Sequence, residues 1–181
     1  MPHAQLVGPF PSGVEPSEYD QLRRRVLWSM PSGLYLLSSR AGERRNLMAL
    51  SLVTQLATEP KLLGVVVETG AVTHELIEAG GRFGLVVLGR EQRSLVRHFV
   101  KPAAHDAEAG TLGGHAYTDS PLGALPVPEF AAAFLDCART NQLEFGSHTL
   151  FVGEVLDTAV FDEAALAAPL RMEDTRMNYG G

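Results

Sequence analysis

At 181 residues with 45% hydrophobic and 20% charged side chains, the chain has the composition of one globular domain. Its formal net charge of −6 argues against a nucleic-acid partner, which needs clustered cations. No run approaches the roughly 18 apolar residues of a membrane span, and the single cysteine, Cys137, excludes an internal disulfide. The start, Met1-Pro2-His3-Ala4, lacks the basic-then-apolar pattern of a signal peptide, so a cytoplasmic setting is expected.

Residues 1–15 read as a tail, and residues 16–181 as one domain. Pro16-Ser17-Glu18-Tyr19 opens a helix that ends near Met30, with Arg23-Arg24-Arg25 as a solvated face. Pro31-Ser32-Gly33 breaks it, and Leu34–Ser39 is a short strand. A polar turn, Arg40–Arg44, makes a hairpin with the stretch from Arg45 to Pro60. Leu62–Val67 is apolar on both faces and reads as a central strand. A helix over His74–Ala79 follows, stopped by Gly80-Gly81, and then a strand over Phe83–Leu88. A second helix is predicted from Gln92 to Val100, with Leu95, Val96 and Phe99 on one side. Residues 101–128 read as a long surface loop, a lid or a dimer contact. Strands resume over Phe130–Thr140, Thr149–Leu156 and Thr158–Asp162. Many short strands with a few small helices predict a mainly β fold, a barrel capped by helices.

No dinucleotide fingerprint, Walker loop, nucleophile elbow or zinc motif is present. Three stretches remain. In Asn46-Leu47-Met48-Ala49-Leu50-Ser51, small polar groups sit among Ala and Leu. That suits a backbone lying close to a flat ligand, and equally a hairpin strand packing its Met and Leu in the core. Glu68-Thr69-Gly70-Ala71-Val72-Thr73 is a glycine-containing turn between a central strand and a helix start, a good place for an anion. Thr73 is also a candidate N-cap. Gly146-Ser147-His148-Thr149 opens a strand with a histidine, which by itself is more often structural than functional.

Together with Met30-Pro31-Ser32-Gly33-Leu34-Tyr35, these three stretches resemble the flavin reductase-like family. The family's ring-binding turn reads Asn-Gly-Met-Thr-Ala-Ser; Asn46, Met48 and Ser51 match it, whereas Leu47 and Ala49 depart. Ala71 and Val72 stand where relatives carry Ser with Arg or Asn, and Ser147 stands where they carry an acid beside the histidine. The resemblance implies an FMN-binding split β-barrel, a Greek-key barrel capped by short helices.

It further implies that Asn46, Met48, Ala49, Leu50, Ser51 and Thr54 line a flavin ring. Glu68, Thr69, Gly70 and Thr73 would hold its ribityl-phosphate end, with charge from Lys101, Arg171 or Arg97. His148 would stand near the nicotinamide, and the tail residues Arg171, Arg176 and Tyr179 resemble a family C-terminal segment. The implied activity is hydride transfer from NADH or NADPH to FMN or FAD, chemistry that belongs to the cofactor. A homodimer is implied, with a monooxygenase as the partner receiving reduced flavin. The alternative is an FMN-binding electron carrier reduced by a protein partner.

Overall fold

The structure, a computed structural model, describes residues 6–175. Helix α1 (Pro16–Trp28) comes first, followed by five strands and a second helix: β1 (Tyr35–Ala41), β2 (Arg44–Leu50), β3 (Val53–Thr58), β4 (Lys61–Glu68), α2 (Val72–Gly80) and β5 (Arg82–Val87). Four short strands follow, β6 (His105–Asp106), β7 (Thr111–Leu112), β8 (His115–Asp119) and β9 (Pro126–Pro128). Two long strands, β10 (Ala133–Phe145) and β11 (His148–Val160), and a short helix, α3 (Glu163–Ala167), come next. The fold is mainly β, with antiparallel pairing throughout. Among the described residues no helix is long and apolar enough to cross a membrane.

The larger sheet has seven strands in the order β2-β1-β5-β10-β11-β4-β3. Its two edge strands are consecutive in the chain, joined only through Ser51 and Leu52. In a flat sheet six strand spacings would put those edges about 29 Å apart. The three steps from Leu50 to Val53 reach at most about 11 Å. The sheet therefore curls until its edges lie near each other.

Alternation then sorts the side chains into two cores. Leu37, Leu50, Val65, Phe83 and Phe151 point into the curl and pack around Ile77 of α2. Leu36, Leu47, Ala49 and Val86 point outward from β1, β2 and β5, where Val96, Phe99, Leu112 and Leu125 cover them. Each large apolar side chain so buried contributes about 1.5–3 kcal/mol. Gly81 ends α2 in the left-handed region, with φ of +66°.

Four expectations are corrected. The segment from Gln92 to Val100 is not one α-helix but two 3-10 turns, Arg90–Gln92 and Leu95–Phe99. Val96 and Phe99 are three residues apart and both must enter the outer core, which suits the 3-10 repeat. Residues 101–128 are not a structureless loop, because they hold the sheet β6-β7-β8-β9. Pro126 and Pro128 are tolerated there because β9 is an edge strand. The two strands expected over 149–162 are one, β11, irregular where Asp136/Cys137 and Arg139/Asn141 shift the register of β10. Lastly, the stretch from Arg45 to Pro60 forms two strands at opposite edges of the sheet, and only β2 belongs to the first hairpin.

Candidate functional site

The last residue of β4, Glu68, pairs in register with the first residue of β11, His148. The turns beyond them are tied together: Thr69 N–H donates to Ser147 O at 2.9 Å, and Thr69 Oγ1 does so at 3.2 Å. Ser147 Oγ in turn bonds His148 Nδ1 at 2.8 Å, so a hydroxyl orients the imidazole. Leu52 O accepts from Val66 N–H at 3.0 Å, which puts Ser51 at the same end of β4. Ser51, Glu68, Thr69, Gly70 and His148 thus share one end of the sheet. Glu68, Thr69 and Gly70 are exposed, whereas Ser51 and His148 are half-buried.

Helix α2 starts beside this cluster. Its N-cap is Ala71, with no side-chain cap bond, so the expectation that Thr73 caps the helix is corrected. The N–H groups of Val72, Thr73 and His74 have no intrahelical acceptor, as at any helix start, and the dipole there favours an anion. Glu75 lies in that first turn, but Arg44 Nη2 donates to it at 3.0 Å. That bond and charge hold the Glu75 carboxyl below its usual range.

Several predicted contacts are internal. Asn46 is 2% exposed and Thr73 is fully buried. Asn46 Nδ2 donates to Thr73 Oγ1 at 2.8 Å, and Asn46 Oδ1 accepts from Ala103 N–H at 2.9 Å. Ala49 is in the outer core and Leu50 in the inner one, on opposite faces of β2. The side chains of Asn46, Ala49, Leu50 and Thr73 are each packed or bonded within the protein. What remains to them is backbone. As an edge strand, β2 carries N–H and C=O groups on the side away from β1 with no ladder partner.

Met48 is half-buried against the inner core. Thr54 is exposed on β3, opposite Gly64. Lys101 is exposed, two residues before Ala103, whose N–H bonds Asn46 Oδ1. Arg171 bridges to Gly33, and its guanidinium pairs with Glu173 at 3.3 Å, so no described contact brings it to α2. Arg97 is exposed on the second 3-10 turn. Arg176 and Tyr179 lie outside the described residues. A cavity of about 250 Å³ lies elsewhere, lined by Ser120, Phe134, Asp136 and Phe161 and by none of the candidate residues.

Sequence reasoning gave His74 no role of its own. It is 8% exposed, with Nε2 2.8 Å from Thr149 Oγ1 and its ring on Phe151. Its only signal was Glu78 four residues on, which lies 3.6 Å from Nδ1. His74 and Thr149 pin α2 to the base of the His148 hairpin.

The fold is thus a curled antiparallel sheet with an unpaired strand edge, an open helix start and a histidine-bearing hairpin. The sequence pattern of the flavin reductase like domain matches residues 27–181, and the chain belongs to that family. It is 32% identical over 154 residues to an NADH-dependent FAD reductase of Streptomyces globisporus, covering 83% of this chain and 81% of that protein. It is 28% identical over 137 residues to a high molecular weight rubredoxin of Moorella thermoacetica, of whose length it spans 59%. The structure of the styrene monooxygenase flavin reductase of Pseudomonas putida S12 is similar, with a TM-score of 0.68 and 25% identity. That likeness covers 84% of this chain and 93% of the other.

Proposed function

We propose that the protein is an NAD(P)H-dependent flavin reductase, taking hydride from NADH or NADPH and passing reduced FAD or FMN to a partner monooxygenase. The observation that carries this reading is the bond from Thr69 N–H to Ser147 O, which sets His148 beside the open start of α2. The residues present suit a flavin. The N–H groups of Val72, Thr73 and His74 at the helix start would receive a phosphate, and Lys101 would add charge. The free edge of β2 offers N–H donors to a ring carbonyl without needing the buried side chains of Asn46, Ala49 and Leu50.

When bound, the flavin supplies the redox chemistry, accepting a hydride at N5. The chain's own part is to hold two rings at reacting distance and to exclude water between them. His148, oriented by Ser147, would contact the nicotinamide, and no acid or base is required of it. The curled sheet is read as the split barrel of the family, and residues 16–181 as its single domain. A homodimer is supported by Leu52, Leu56, Leu143 and Phe145, which leave an apolar patch exposed on one protomer. The partner enzyme is supported by the likeness to a styrene monooxygenase component.

A second reading, a carrier that retains FMN and takes electrons from a protein, is supported by the likeness to a high molecular weight rubredoxin. Mixing the purified protein with FMN or FAD and NADH or NADPH, and following the nicotinamide absorbance, separates the two. Turnover that depends on added free flavin establishes the reductase. Tightly bound flavin with no nicotinamide consumption establishes the carrier.

A further inference from the structure

The first turn of α2 grips the curled sheet on two sides at once. Thr73 reaches β2, the strand with the free edge, through its bond with Asn46. The next residue, His74, reaches β11, with Nε2 2.8 Å from Thr149 Oγ1. In the strand order β11 lies four places from β2, about 19 Å away in a flat sheet, so neighbouring helix residues span the two only because the sheet curls. Thr149 adjoins His148, and the same register pairs Thr149 with Val67 and His148 with Glu68.

The His74 side chain is built as a fixed strut. It is 8% exposed, its ring centroid lies 5.0 Å from that of Phe151, and Thr149 is fully buried. The far nitrogen, Nδ1, faces the Glu78 carboxylate at 3.6 Å, and Gln142 Nε2 of β10 donates to that carboxylate at 3.3 Å. A carboxylate opposite Nδ1 keeps the ring proton there. Nε2 is then the acceptor, and the Thr149 hydroxyl donates to it. Turning the ring away would leave that hydroxyl unpaired inside the protein, which is costly. The backbone of the same residue faces the other way, since His74 N–H is one of the free amides at the open start of α2. A phosphate drawn to those amides would therefore fix the residue whose side chain holds the strand of His148.

We propose that His74 is a positioning residue for hydride transfer: through Thr149 it makes the placement of His148 depend on whether the first turn of α2 holds the flavin phosphate. The inference rests on the reductase reading above and gives the phosphate a use beyond affinity. Binding energy gained far from the reacting atoms then goes into orientation and appears in kcat.

Riboflavin shares the ring of FMN and FAD and lacks the phosphate, so it tests the link. With flavin and nicotinamide both saturating, kcat would be measured with riboflavin and with FMN or FAD, for the unaltered chain, Thr149→Val and Thr149→Ser. Val suits a strand and removes the donor, whereas Ser keeps it. The expected kcat is about tenfold higher with the phosphate-bearing flavin in the unaltered chain and in Thr149→Ser. In Thr149→Val, and in His74→Phe, which removes the acceptor, that ratio should fall close to one. A hydrogen bond that served stability alone would lower activity with both flavins alike and leave the ratio unchanged. A ratio that survives in both variants, or that is near one in the unaltered chain, would overturn the inference and leave the reductase standing. No nicotinamide consumption with any flavin would remove the reading on which it rests.

Discussion

Asn46 and Thr73 are joined by a 2.8 Å hydrogen bond that ties an edge strand to the helix closing the curled sheet. Both are shielded from water, and the other end of the Asn46 amide holds Ala103 N–H. Removing this side chain leaves a buried hydroxyl and a backbone donor unpaired. Asn46→Ala is therefore expected to cost about 2–4 kcal/mol in urea unfolding, since each unpaired group costs about 1–3 kcal/mol. A loss below ~0.5 kcal/mol would show that the amide is not the link between β2 and α2.

Gly80 is where α2 meets β1. A Cβ there would lie 2.0 Å from Arg40 O, a backbone atom that cannot swing away. Gly80→Ala must lift the helix, at an expected cost of about 1–3 kcal/mol, and displace its open first turn. Flavin affinity, measured by fluorescence titration, should fall with it. Unchanged stability and affinity would mean that α2 is not held at this point.

Cys137 links pH to stability. Its ordinary value is 9.0, and burial raises it to about 12 in the folded chain. Between those values the folded state keeps a proton that the unfolded state loses, so stability should fall as pH rises. Below 9.0 the contribution is fully present. Urea midpoints across this window should decline less steeply in Cys137→Ala. Native protein at pH 8 should also resist iodoacetamide until denaturant is added.

The strands containing Leu62–Val67 and Phe83–Leu88, and the stop at Gly80-Gly81, were legible because apolar runs and glycine carry strong local signals. The small sheet at residues 105–128 was not, because strands of two to five residues have no readable period. The site was half legible. The turn at Glu68–Gly70 and the hairpin at Ser147-His148 stood out by residue type, and the structure brings them together. The burial of Asn46, Ala49, Leu50 and Thr73 depended on which strands neighbour β2 and which element covers each face, facts of topology that a local motif does not carry. The edge position of β2 was hidden for the same reason.

His148 is half-buried and held by Ser147, with no core role. His148→Ala should leave the unfolding midpoint and flavin affinity nearly unchanged while lowering kcat/KM for the nicotinamide by about tenfold. Ser147→Ala should show a smaller loss in the same direction.

The most direct measurement is anaerobic rapid mixing of the flavin-loaded protein with NADH or NADPH, followed in the flavin absorbance band. The account predicts prompt bleaching with at least one nicotinamide, slowed in His148→Ala at equal flavin occupancy. Flavin that binds but keeps its colour with both nicotinamides would contradict it.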